Sequence, residues 1–69
     1  MEYLVVIEEA EGNLSAYSPD LPGCVATGMD TGELLQNMEG AIRLHLRGLA
    51  EDGLPAPEPR ARAELIRVS

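Results

Sequence analysis

The 69-residue sequence has no tryptophan, no phenylalanine, no lysine and only one cysteine. Each shortage removes an option. One cysteine cannot close an intrachain disulfide, and one histidine beside it makes no Cys/His cluster for a structural metal, so the usual staples of small folds are missing. Aromatic residues are limited to Tyr3 and Tyr17, which leaves the core to Leu, Val, Ile, Met and Ala. No stretch approaches the roughly 18 apolar residues of a membrane span, and no basic segment followed by an apolar run opens the chain. The expectation is a cytoplasmic protein, and a lone unpaired thiol agrees with a reducing compartment.

What is present is an aliphatic, acidic chain. Hydrophobic residues make up 45% of it, enough for a globular fold. A chain this short forms one domain, here residues 1–69, and buries only about 60% of the surface its unfolded form exposes. With no covalent staple, self-association is the remaining support, and a homodimer or higher oligomer is expected. Twelve acids against five arginines give a net charge of -7. That balance opposes phosphate contacts, so direct nucleic-acid binding is disfavoured; the acidic surface either attracts a basic partner or serves as solubility charge, and charge alone does not choose between them.

Tyr3-Leu4-Val5-Val6-Ile7 is too short for a helix and reads as a strand covered on both faces, the central strand of a sheet. Glu8 and Glu9 bring it to the surface, and Glu11-Gly12-Asn13 turns it into a second strand, Leu14 to Tyr17. Pro19, Asp20, Leu21, Pro22, Gly23 and Cys24 then form an ordered turn, since two prolines and a glycine forbid a regular ladder. Val25 to Thr27 gives a third strand, which closes at Gly28 and completes a meander.

Asp30 or Thr31 caps a helix, and Asp30 with Glu33 has capping-box spacing. Leu34, Met38, Ala41, Ile42, Leu46 and Leu49, with Leu35 alongside, form its apolar stripe. The helix should end at Asp52-Gly53. Pro55, Pro57 and Pro59 stiffen a connector, and Ala63 to Val68 has the composition of a last strand, paired within the chain or with another copy. The fold class is therefore α+β, in the order β-β-β-α-β, with one helix on one face of a small antiparallel sheet. One helix leaves the other face of an apolar strand uncovered, a second reason to expect oligomers.

Tyr3 to Glu8, the Pro-Asp-Leu-Pro-Gly-Cys turn, Gly28, Asp30, Thr31, Glu33, Leu34, Ala41-Ile42 and Gly53 together resemble the antitoxin domain of the HicB family. The resemblance covers nearly the whole chain, and its most specific element is that turn followed by a capped helix. It implies a truncated ribonuclease-H-like fold that lacks catalytic carboxylates and neutralises HicA, a small basic ribonuclease, by covering the active face. Many relatives carry a further DNA-binding part; with the last expected strand ending beside Ser69, that part is expected to be absent here.

Candidate sites are few. His45 lies between Ile42 and Leu49, and the positions four residues away hold Ala41 and Leu49, so no metal pair forms and a packed or interfacial histidine is expected. Cys24 has no base placed beside it by sequence and reads as a small buried hydrophobe. Asp20, Asp30 and Glu33 are the best candidate carboxylates for a metal-dependent nuclease, but a turn and a helix cap account for them. We therefore expect no enzyme, no cofactor and no metal. Glu8 and Glu9, with Glu51 and Asp52 at the helix end, are the expected partner-binding acids. The alternative function is a stand-alone oligomeric scaffold or small-molecule-binding domain without a toxin partner.

Overall fold

Left-handed backbone at Gly12, φ 81°, turns Glu11-Gly12 into a two-residue reversal. It joins β1 (Val6–Ala10) to β2 (Asn13–Tyr17), and in the computed structural model, which describes residues 1–69, β3 (Val25–Gly28) and α1 (Thr31–Glu51) follow. The strands form an antiparallel meander in the order β1-β2-β3, with Val6 opposite Tyr17 and Tyr17 opposite Val25. The α+β class and the meander followed by a helix agree with the sequence reading.

Two expectations need correction. The first strand is an edge strand, not the central one; β2 holds the centre. The β1–β2 ladder ends at the Val6–Tyr17 pair, because Ser18-Pro19 turns away beyond it. Tyr3, Leu4 and Val5 thus have no strand opposite, and the apolarity of Tyr3 and Val5 reflects packing on the core instead. The second correction is that Ala63 to Val68 forms no strand. Leu65, Ile66 and Val68 are 100%, 83% and 91% exposed, since β-branched composition produces a strand only when a ladder partner is in reach.

The core is small: Ala16, Leu21, Cys24, Leu34 and Met38. Ala16 reaches it from β2 and Leu34 and Met38 from α1, one turn apart, while Leu21 and Cys24 come from the proline turn. Burying an aliphatic side chain of this size contributes about 1.5–3 kcal/mol. The helix packs over β3 and β2 and has no close backbone contact with β1.

Both helix ends are closed by local chemistry. Asp30 is the N-cap, its Oδ1 accepting from the Glu33 N–H at 2.8 Å, while Glu33 Oε1 accepts from the Met29 N–H at 3.0 Å. At the other end Gly53, φ 72°, donates to the Ala50 carbonyl and Leu54 to the Leu49 carbonyl, the paired bonds of a Schellman motif.

Beyond α1 the connector is tied at two points. The Tyr3 hydroxyl donates to the Pro57 carbonyl at 2.6 Å, and Asp20 Oδ2 accepts from the N–H groups of Arg60 and Ala61, each at 3.0 Å. After Ala61 the chain leaves the fold as an arm. A radius of gyration of 13.5 Å exceeds the roughly 11 Å of a compact chain of this length, as the arm requires.

Candidate functional site

Residues paired across a sheet share a face, so the register sorts the side chains of β1. Ile7 sits with Ala16 and Ala26 on the helix-covered face, and Glu9 with Leu14. Val6, Tyr17 and Val25 form one row on the opposite, outer face, with Glu8, Ser15 and Thr27 as the next row. Glu8 and Glu9 are both exposed but point to opposite sides; what they share is the free edge of β1.

The outer face is where a partner would find apolar surface. Tyr17 is 41% and Val25 64% exposed, no helix covers their row, and Glu8 borders it. The result is a short apolar strip with an acid at its flank, suited to a partner with an apolar centre and a basic rim.

On the other face an open groove of about 340 Å³ lies between α1 and the segment that leads into β1. Tyr3 and Val5 line one wall and Leu35, Met38, Ile42 and Leu46 the other, with Glu39 and Arg43 at the rim. Arg43 is engaged by Glu39 in an exposed pair at 3.1 Å, one helical turn apart.

Glu51 and Asp52 do not join the acids of β1. The helix starts beside the strand end nearer the Gly12 turn and runs back for about 30 Å, so the two acidic pairs stand well apart. Their position opposes the helix dipole: two acids occupy the last turn and cap, where no basic residue is found. Such placement costs about 0.3–1 kcal/mol per charge at low salt, and a basic partner would relieve it.

The proline turn is held by its own backbone. Leu21 donates to the Ser18 carbonyl at 3.1 Å and Cys24 to the Leu21 carbonyl at 3.0 Å, while Gly23 takes φ 83°. These bonds fold Leu21 and Cys24 inward and leave Pro19, Pro22 and Gly23 outside. The carboxylates proposed for a nuclease are scattered: Asp20 holds the connector, and Asp30 and Glu33 are spent on the helix cap.

One relationship escaped the sequence. Cys24 and His45, on separate elements, line the same small hollow, together with Gly23, Val25, Ala41 and Leu44. Helix periodicity puts His45 on the side of Ala41 and Ile42, but only the fold shows that this side meets the start of β3. The chemistry there is inert for a nucleophile: burial pushes the Cys24 thiol up, and a nucleophile needs the thiolate. No helix of the fold is long and apolar enough to cross a membrane.

Comparisons with known proteins place this geometry. The chain is 33% identical over 58 residues to an uncharacterised 14.9 kDa protein from the rep-hol intergenic region of Haemophilus phage HP1, covering 84% of this chain and 44% of that protein. UPF0150 proteins of Helicobacter pylori and Synechocystis are 43% and 35% identical, over 71% and 81% of this chain and 68% and 72% of theirs. The chain thus spans under half of the phage relative. Among solved structures it is similar to a chain of a HicA3 and HicB3 toxin-antitoxin complex, with a TM-score of 0.74, 28% identity, and coverage of 86% of this chain and 70% of that one. With residues 3–68 matching the family profile as well, the chain belongs to the HicB-like antitoxins of bacterial toxin-antitoxin systems.

Proposed function

We propose that residues 1–69 act as one cytoplasmic, non-catalytic HicB-like domain that binds a basic HicA-type ribonuclease and neutralises it by covering its active face. The observation that carries this reading is the outer face of the sheet: an uncovered apolar row, Val6, Tyr17 and Val25, bordered by Glu8 in a chain of net charge -7. The acids bring a basic partner in, and the apolar row holds it. Family membership and likeness to a toxin-antitoxin complex support the same partner chemistry. Glu9 at the strand edge and Glu51 with Asp52 at the helix end extend the attracting field. A second copy of the chain is part of the proposal, since so thin a core gains from being covered.

The test is inhibition. RNA cleavage by a basic HicA-type protein, where one is encoded beside this chain, should stop at one equivalent, and Val25→Asp should release it by accelerating dissociation. Glu8→Lys with Glu9→Lys should slow association, as should about 0.5 M salt, which shortens the Debye length to a few ångströms. Cleavage that continues at excess antitoxin, or the lack of any such neighbour, would move the chain to a stand-alone oligomeric scaffold. An association rate indifferent to salt would leave the acids as solubility charge.

A further inference from the structure

The arm, the groove and the free edge of β1 are three unfinished features, and their chemistries match. β1 is an edge strand, so one row of its backbone N–H and C=O groups has no ladder partner. The helix makes no close backbone contact with it, and the apolar groove lies open against the segment that leads into it, at Tyr3 and Val5. The arm carries a β-branched segment, Ala63 to Val68, whose Leu65, Ile66 and Val68 are almost wholly exposed. We infer that Ala63 to Val68 of a second copy adds to the free edge of β1 as a fourth strand, and that two copies exchange these arms reciprocally. The exchange deepens the self-association proposed above and rests on it.

Side-chain alternation suits the seat. In an extended Ala63 to Val68, Ile66 and Val68 point to one side and Leu65 to the other. Ile66 and Val68 would enter the groove against Val5, Ile42 and Leu46, and Leu65 would lie on the outer face next to the row begun by Val6. Charge selects the same occupant. Residues 60–69 hold Arg60, Arg62 and Arg67 against a single acid, Glu64, whereas β1 and its turn hold Glu8, Glu9 and Glu11 with no basic residue. The arm thus carries a net positive charge in an acidic chain, and β1 is among the chain's most acidic stretches.

The connector favours exchange over return. Its two ties run from Tyr3, which precedes β1, to Asp20 in the β2–β3 turn, and so carry the chain across the end of the sheet and away from the β1 edge. Three prolines stiffen the path. The competing edge, β3, is partly occupied: Asn37 of α1 donates to the Thr27 carbonyl at 2.8 Å. Only seven of 69 residues are buried within one copy, so a fourth strand seated in the groove would enlarge a core that needs it.

Sedimentation equilibrium of the full chain at micromolar concentration tests the inference. The wild type should run at twice 7.4 kDa, and Ile66→Asp with Val68→Asp should run as the monomer with its helical circular dichroism intact, because those side chains are almost wholly exposed in a single copy. Val25→Asp, on the outer face, should remain a dimer. A dimer that survives the arm variant but is lost in Val25→Asp would overturn the exchange while leaving self-association standing; a monomeric wild type would overturn both. Amide exchange gives an independent reading: the edge-facing N–H groups of β1 should be protected in the wild type and exposed in the arm variant. Equal protection in the two would place the fourth strand elsewhere.

Discussion

Asp20 and Ala61 stand 41 residues apart in the chain, and one carboxylate oxygen joins them: Asp20 Oδ2 accepts the Ala61 N–H at 3.0 Å and the Arg60 N–H at the same distance. The proline turn is therefore more than a corner between strands. It carries its own backbone bonds inside and presents a carboxylate outside, where the connector docks. The turn sets the point from which the arm leaves the fold.

Replacing Asp20 with alanine should free the connector without disturbing the core. The two bonds are charge-assisted but near the surface, so a loss of about 1 kcal/mol is expected, at the low end for such contacts. The sharper readout is hydrogen exchange: the Arg60 and Ala61 amides should exchange at nearly free rates in Asp20→Ala, with the amides of β2 unchanged. Slow exchange at both positions in the variant would mean that the connector is held by something other than Asp20.

Glycine substitutions should have opposite signs at two positions. A Cβ on Gly28 would come within 2.6 Å of the Leu34 backbone nitrogen and 2.8 Å of its Cα, and backbone cannot step aside as a side chain can. Gly28→Ala should therefore destabilise by about 1–3 kcal/mol. Gly40, inside α1, has nothing within 4 Å of the added carbon, and alanine there should stabilise by about 1 kcal/mol through helix propensity. Denaturant midpoints decide it; equal shifts for the two variants would contradict the close approach of helix and strand at Gly28.

How far these features could be read from the sequence depended on how local their causes are. The Gly12 reversal, the Asp30–Glu33 cap and the Gly53 stop each depend on residues within one turn, and each forms where the sequence places it. The apolar run Tyr3 to Ile7 misled because apolarity records burial, not pairing: half of it packs on the core beyond the end of β2. Ala63 to Val68 misled because strand composition is a capacity that needs a partner. The hollow that Cys24 shares with His45, and the docking of the connector on Asp20, were illegible because each joins segments far apart in the chain.

The Cys24 thiol supplies a pH test with a definite sign. Burial raises it above its ordinary value of 9.0, so the folded chain holds this proton more tightly than the unfolded chain does. Below 9.0 the thiol is protonated in both states and contributes no pH dependence. As pH climbs past that value the unfolded chain ionises first, and the stability difference is lost progressively until the folded thiol ionises too. The wild type should therefore lose thermal stability above that pH faster than Cys24→Ala, which has nothing to titrate at that position. Iodoacetamide gives the kinetic counterpart: in the folded protein at pH 8, alkylation should be far slower than in urea, because burial keeps the reagent from the thiol. Parallel pH profiles for wild type and variant would remove burial as the controlling influence. Rapid alkylation of the folded chain would restore Cys24 as a candidate nucleophile, with His45 across the same hollow as the first base to replace.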